Sequence, residues 1–219
     1  MYRTNLVFAI LVATIASTSS DETSSSGLPT DAWRTVTQNE TFHLMYRSFE
    51  YDTGLGGTGK CVTITLCERN DTTRTTKSRI VYRDAKTTQL IGNTVRITLA
   101  RSWNSTVDNI IQIGDADRCD APAQAVTTQF LLAYSDFKTC DVLVVFGTRE
   151  PKCELWIKDG YQHYLDVNTN TVASAGDKNI KTSIRKCKEE YKKLCQVKYP
   201  IYDKAICSSP PKGSKEMKN

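Results

Sequence analysis

The sequence has little of what enzymes and metal-binding proteins commonly use. Among its 219 residues are only two histidines, His43 and His163, and no pair of cysteines has the two-residue spacing of a zinc ligand pair. The motifs GxSxG and HExxH and the phosphate-binding P-loop are absent. No residue stands out as a partner of either histidine in a nucleophilic system. The sequence therefore predicts a protein that is not an enzyme and uses neither a metal nor a cofactor.

Long hydrophobic runs are also missing, except at the N-terminus. There an apolar run over residues 6–15 follows the positive Arg3 and precedes several small residues. This is the pattern of a secretory signal peptide, which we predict over residues 1–20. No other segment approaches the ~20 apolar residues of a membrane-spanning helix. We therefore expect a secreted protein that does not interact with membranes.

The remaining chain is long enough for one domain with a sizeable core. We predict a disordered polar leader over residues 21–30, the domain over 31–207 and a flexible basic tail over 208–219. The net charge is +5, and the basic residues are spread along the chain rather than clustered. Such a distribution does not predict nucleic-acid binding.

Cysteine is abundant. Eight cysteines in a secreted chain predict four disulfides, and the spacing alone leaves their pairing open. The cysteines are Cys61, Cys67, Cys119, Cys140, Cys153, Cys187, Cys195 and Cys207. Three N-x-[ST] sequons, at Asn39, Asn70 and Asn104, predict glycosylation at the surface.

Apolar and polar residues alternate over short segments of the domain. In residues 61–67, for example, Val62, Ile64 and Leu66 share one face of an extended chain. The predicted strands span residues 41–51, 61–67, 79–83, 94–101, 107–113, 125–134, 140–146 and 153–158. Short links between consecutive strands favour an antiparallel meander, which loses its exposed edges by closing into a barrel. A barrel of about eight strands is wide enough to hold one small ligand.

One helix is predicted after the strands, over residues 181–195. Its apolar side chains fall on one stripe, formed by Ile184, Cys187, Tyr191, Leu194 and Cys195. Because two cysteines lie on this stripe, we expect disulfides to hold the helix against the barrel wall. A further short helix or turn is predicted within residues 31–36, with Asp31 near its start.

The segment between Cys140 and Cys187 contains a specific pattern. It reads Cys140-Asp141-Val142, then Glu154-Leu155-Trp156, then Cys187. This resembles the signature of the tick salivary lipocalins of the histamine-binding family, CD[VIL] followed by EL[WY] and a cysteine, and the likeness covers residues 31–207. The resemblance implies a lipocalin barrel with a C-terminal helix on its wall. It also implies a monomer, secreted in saliva, that sequesters histamine or serotonin and so suppresses host inflammation and haemostasis at the bite.

The resemblance also implies two disulfides, Cys61–Cys207 and Cys140–Cys187. With those two taken, the simplest pairing of the remaining cysteines is Cys119–Cys153 and Cys67–Cys195. We expect the second of these because Cys195 lies on the stripe of the helix.

Glu154 and Trp156 are the first candidate ligand-binding residues. They share one face of their strand, and Leu155 and Ile157 share the other. If the latter pair lies under the helix, Glu154 and Trp156 face the barrel lumen. A carboxylate beside an indole suits an alkylammonium, which would form an ion pair and a cation–π contact. In the alternative, Glu154 points to solvent and Trp156 is a core residue.

Asp141, Phe49 and Asp52 complete the candidate set. Asp141 alternates with Leu143 and Val145, so it enters the lumen, lies at the barrel mouth, or is a surface aspartate at a strand end. The resemblance assigns it to amine binding, in a second pocket at the other end of the barrel. Phe49 and Asp52 are included because amine binders of the family have an aromatic residue and an aspartate in this region.

Other ligands remain open. Arginines in the lumen, such as Arg96 or Arg101, would suit the carboxylate of a fatty-acid mediator, a leukotriene or thromboxane, better than an amine. Relatives that capture a complement component through surface loops give a third possibility, and a storage or structural role a fourth. The sign of the charge inside the barrel distinguishes the first two.

Overall fold

The computed structural model describes residues 30–52, 55–116, 119, 123–165 and 175–208. The predicted signal peptide lies outside the described residues, as do all but one residue each of the predicted leader and tail. In chain order the elements are α1 (Ala32–Val36), β1 (Phe42–Arg47), β2 (Lys60–Asn70), β3 (Thr75–Arg83), β4 (Leu90–Ala100), β5 (Ile110–Ala116), β6 (Ala123–Ser135), β7 (Cys140–Val145), β8 (Cys153–Lys158), a 3₁₀ helix (Gln162–Leu165), α2 (Ala175–Leu194), β9 (Tyr199–Pro200) and α3 (Lys204–Cys207).

Strands β1 to β8 form a closed antiparallel sheet. Each strand from β2 to β8 pairs with the next in sequence, and β1 pairs with both β8 and β2 to close the ring. The two-residue β9 adds to β1 outside this ring. The predicted fold class, a mainly β, eight-stranded antiparallel barrel with a C-terminal helix on its wall, is confirmed.

Several predicted elements begin too late. Strand β3 begins at Thr75 rather than at residue 79, strand β4 at Leu90 rather than at residue 94, and helix α2 at Ala175 rather than at residue 181. The early part of β3 was missed because its inward side chains, Thr76 and Ser78, are polar although both are buried.

A bulge in β1 turns the last residues of that strand to the face opposite the one that regular alternation would give them. Strict alternation would place Phe42, Leu44 and Tyr46 on one face, but the pairing with β8 shifts register between Leu44 and Tyr46. Phe42 and Leu44 therefore pack inside the barrel, whereas Met45 and Tyr46 both pack on the helix side. An extra residue of this kind turns the following side chain to the opposite face, so Arg47 points inward.

The protein has two hydrophobic cores. The first fills the barrel and includes Leu44, Phe130 and Trp156. The second lies between the barrel wall and α2. It is formed by Met45, Tyr46, Cys140, Val142, Cys153, Leu155, Ile157, Ile184, Cys187, Tyr191 and Cys195. Leu155 and Ile157 thus lie under the helix, as the sequence predicts.

All eight cysteines form disulfides. Two pairs are those implied by the family resemblance, Cys61–Cys207 and Cys140–Cys187. The other two are Cys67–Cys119 and Cys153–Cys195, so the expected pairs Cys119–Cys153 and Cys67–Cys195 are wrong.

The correction has a simple geometric cause. Cys195 follows α2, which packs on β7 and β8, and its Sγ lies 3.3 Å from the carbonyl oxygen of Pro151, close to Cys153 at the start of β8. Cys67 lies on β2, whereas α2 packs on β6, β7 and β8. The ammonium group of Lys77 bonds both the carboxylate of Glu68 and the carbonyl oxygen of Cys119, at 2.9 and 2.6 Å, and so brings the segment of Cys119 next to β2.

Candidate functional site

A cavity of about 70 Å³ lies inside the barrel. This is more than the ~10–15 Å³ that one water molecule requires. Its wall is largely apolar, with Ile97, Ile113 and Leu143 among the lining residues, and it also includes Asp141 and Trp156. Helix α1 covers one end, because Thr35 and Val36 also line the cavity.

The strand register gathers the polar residues of the interior into two rows. In the first row Asp141, Trp156 and Leu44 lie opposite one another on β7, β8 and β1. In the second row Leu143, Glu154 and Arg47 do the same. Directly paired residues in an antiparallel sheet share a face. Glu154 and Arg47 therefore enter the barrel one layer away from Asp141 and Trp156.

Asp141 is a buried carboxylate in the wall of the cavity. Its residue is 4% exposed, and among the described residues its Oδ1 has no hydrogen-bond partner. Burial raises the pKa of Asp141 to about 7. Hydrogen bonds from the hydroxyls of Ser135 and Thr35 oppose that rise, and the negative charge of Asp136 adds to it. A bound cation would pair with the unpartnered Oδ1 and favour the ionised form of Asp141.

Glu154 is fully buried, so the alternative in which it points to solvent is wrong. The indole Nε1 of Trp156 donates to its Oε2 at 2.9 Å, and Oε1 has no hydrogen-bond partner within the described parts of the chain. Burial raises the pKa of Glu154 to about 8, and the charge of Asp52 adds to the rise, while Arg47 and the indole oppose it. The hydrogen bond fixes the plane of the Trp156 ring.

Arg47 and Asp52 complete a buried cluster with Glu154. Arg47 is fully buried, and its Nη2 donates to the carbonyl oxygen of Gly57 at 2.7 Å. Gly57 has a φ of +61°, a left-handed conformation that favours glycine, and it also pairs with Asp52 across the loop. The Asp52 carboxylate accepts a hydrogen bond from the backbone of Leu55, and Asp52 is 4% exposed. The loop after β1 thus delivers a carboxylate to the interior.

Arg47 was missed from the sequence because the bulge that turns it inward leaves no signal in the pattern of alternation. The arginines predicted as lumen candidates lie elsewhere. Arg96 lies between Val95 and Ile97, which are buried in the barrel core, so its side chain is on the outer face. The guanidinium of Arg101 is 55% exposed and lies 3.4 Å from the carboxylate of Asp108. The prediction that either arginine lines the lumen is therefore wrong.

Phe49 lies outside the cavity lining. It is half-buried, and its ring packs against the cationic groups of Arg47 and Lys152, at 5.6 and 5.8 Å from the ring centre. The structure thus brings together Asp141, Trp156, Glu154 and Asp52 from the predicted set and leaves Phe49 at the edge of the cluster.

The three predicted glycosylation sites are accessible at the described surface. Asn39, Asn70 and Asn104 are all exposed, as attachment of a glycan requires. Within the described ranges, none of the helices combines the length and the hydropathy needed to cross a lipid bilayer. Nor do those ranges contain a group of three or more His, Cys, Asp or Glu side chains arranged to hold a metal ion.

Comparison with known proteins gives one family match. A family profile described as tick histamine binding protein matches residues 20–208. A comparison with curated protein sequences gives no match.

A comparison with solved structures finds several that are distantly similar to this chain. Japanin from Rhipicephalus appendiculatus bound to cholesterol is 12% identical, with 81% of this chain and 99% of that chain covered and a TM-score of 0.45. The amine binding protein of Rhodnius prolixus, in its tryptamine complex, is 9% identical, with 78% and 85% covered and a TM-score of 0.45. Lobster apocrustacyanin A1 is 10% identical, with 78% and 83% covered and a TM-score of 0.44.

Proposed function

Because the chain belongs to the tick histamine-binding protein family, we propose that it is a secreted, monomeric binding protein that sequesters a small biogenic amine, histamine or serotonin, inside the barrel. The observation that carries the proposal is Asp141, a buried carboxylate with an unused oxygen in the wall of a largely apolar cavity. Release in tick saliva would lower the amine concentration at the bite and so suppress the host's response.

The contacts of the amine follow from the two residues paired across β7 and β8. Its ammonium group donates to Oδ1 of Asp141, which then carries a full negative charge in a site of low polarity. The same cation lies beside the indole of Trp156, whose ring is held by the hydrogen bond to Glu154. An ion pair and a cation–π contact at one site match an alkylammonium better than any neutral ligand.

A small polar amine needs a charged contact in this cavity, because the rest of the wall is largely apolar. Histamine has ~8 non-hydrogen atoms, and nanomolar binding, ~12 kcal/mol, would require close to the ceiling of ~1.5 kcal/mol per atom. Such a ligand must use a charged contact as well as apolar burial. Arg96 and Arg101 lie outside the lumen, and the buried Arg47 has Glu154 and Asp52 as acidic neighbours, so the interior carries more acidic than basic groups near Trp156.

Calorimetric titration with histamine and serotonin, with a leukotriene as the comparison ligand, tests the proposal. Asp141→Asn keeps the shape of the side chain and removes its charge. A charge-assisted hydrogen bond is worth about 1.5–3 kcal/mol, so this variant should bind the amine about 10- to 100-fold more weakly.

Asp203→Asn is the matched control, since Asp203 is exposed and its side chain caps α3 by accepting from the backbone of Ala205 and Ile206, which an asparagine can also do. This variant should bind like the wild type. Unchanged amine affinity in Asp141→Asn, or a wild-type protein that binds the leukotriene and neither amine, would contradict the proposal.

A further inference from the structure

We propose that Arg47 is an internal cation that occupies the acidic pocket formed by Glu154 and Asp52, and that it thereby confines amine binding to the Asp141 end of the barrel. The inference rests on the proposed function for the first amine. What it adds is a specificity-determining residue for a second position that would otherwise accept the same class of ligand.

The position of Arg47 carries the first step. The bulge in β1 turns its side chain inward, and its strand partner on β8 is Glu154. Both side chains are fully buried. The Arg47 side chain therefore points from the barrel wall into the interior on the same side as Glu154. A ligand that binds at Glu154 would have to occupy the space that Arg47 fills.

Charge carries the second step. A guanidinium stays protonated at any physiological pH, and burying it without a negative partner costs several kcal/mol. Glu154 interacts electrostatically with both Arg47 and Asp52, so one cation and two carboxylates share this pocket. A second cation beside Arg47 would meet a like charge in a medium of low dielectric constant, so the pocket excludes an amine while Arg47 is present.

Several buried donors and acceptors in this pocket are not used. Of the Arg47 donors, Nη2 is held by the carbonyl oxygen of Gly57, while Nε and Nη1 have no hydrogen-bond partner among the described residues. Oε1 of Glu154 is likewise unpartnered there. Arg47 thus supplies positive charge to the pocket but leaves Oε1 of Glu154 without a hydrogen bond. If the arginine is shortened, the space has the acceptors, the charge and the adjacent indole that a small ammonium or guanidinium ion needs.

Arg47→Ala tests this directly. In calorimetric titrations with histamine, the wild type should bind one amine per chain and Arg47→Ala two. The double variant Arg47→Ala/Asp141→Asn should keep only the new site. Methylguanidinium reproduces the end of the removed side chain, so it should raise the thermal unfolding midpoint of Arg47→Ala/Asp141→Asn, in which the first amine site is removed. It should leave the midpoints of Asp141→Asn and of Arg96→Ala/Asp141→Asn unchanged, since Arg96 is an arginine on the outer face of the barrel.

Arg47→Gln serves if Arg47→Ala does not fold, because its amide retains a donor for the Gly57 carbonyl while the positive charge is lost. The same second site is expected. The proposal is overturned if the folded variant with Asp141→Asn binds neither histamine nor methylguanidinium. Failure of the proposed function would look different: the wild type would bind no amine, whatever the Arg47 variants do.

Discussion

Trp156 contacts Glu154 and lies opposite Asp141, two of the buried acids of the barrel. It faces Asp141 across the strand pair, and it donates its indole hydrogen to Glu154. We expect Trp156→Phe to weaken amine binding about 5- to 30-fold, because a cation–π contact with indole is worth about 1–2 kcal/mol at a desolvated site and phenylalanine also leaves Glu154 without its donor. Calorimetric titration of the folded variant measures this loss.

Trp103→Phe is the control for that substitution. Trp103 is 98% exposed, in the connection between β4 and β5, so the same chemical change should leave amine affinity within about twofold of the wild type. An equal loss in both variants, or no loss in Trp156→Phe, would mean that the indole of Trp156 does not contact the ligand.

Which interior residues could be predicted depended on the regularity of each strand. Strands β7 and β8 pair without a register shift, so alternation placed Glu154 and Trp156 together on one face and gave the inner face as one of three positions for Asp141. Strand β1 contains a bulge, and alternation therefore failed for Tyr46 and missed Arg47. No sequence pattern fixes where an extra residue enters a strand, since the bulge depends on pairing with two neighbours at once.

Helix α2 is held on the barrel wall by apolar packing as well as by two disulfides. Ile184 is 1% exposed in the core between α2 and the wall. Ile184→Ala should lower the free energy of unfolding by about 2–5 kcal/mol, the usual cost of truncating a buried aliphatic side chain. The disulfides at Cys187 and Cys195 keep the helix attached in both the folded and the unfolded state. The loss therefore reports the cavity rather than release of the helix. Urea unfolding with the disulfides intact measures it.

Leu194→Ala is the comparison within the same helix. The sequence predicts Leu194 on the apolar stripe, but it is 41% exposed and lies outside the core under α2, so its truncation should cost less than about 1 kcal/mol. Similar losses for the two variants would show that burial of Ile184 between α2 and the wall does not stabilise the fold.

At the level of elements, the order and type of the main strands and the C-terminal helix were predictable. Two disulfides followed from the family resemblance, and the pairing of the other four cysteines was not predictable. Eight alternating segments on short links favour a meander, and a stripe repeating every three to four residues indicates a helix. The pairing Cys153–Cys195 depends on where the end of α2 lies over β8, and Cys67–Cys119 on how the segment after β5 returns to β2. Both are properties of the assembled barrel, which local spacing does not contain.

Two of the buried acids, Asp141 and Glu154, have raised pKa values, and this has a consequence for the stability of the whole molecule. Folding raises the pKa of Asp141 to about 7 and that of Glu154 to about 8, in both cases chiefly through burial. At pH 3 and below, both groups are largely protonated in the folded and unfolded chain alike, and their burial carries little penalty. As the pH rises toward 7 and 8, the unfolded chain ionises first and is thereby stabilised relative to the folded protein. The contribution of these two groups to stability is therefore present in acid and is lost as the pH rises through their folded pKa values.

We expect the free energy of unfolding, measured by urea titration without ligand, to fall between pH 5 and pH 8 with a contribution of up to about 1.4 kcal/mol per pH unit from each group. The double variant Asp141→Asn/Glu154→Gln cannot titrate at these positions, so its stability should change much less over the same range. An amine that pairs with Asp141 favours the carboxylate, and it should therefore stabilise the wild type more at pH 8 than at pH 5. Parallel pH profiles for the wild type and the double variant would show that the two carboxyl groups titrate normally in the folded barrel. In that case Asp141 would be ionised near neutral pH without a ligand, and the barrel would hold a negative charge there at no cost to its stability.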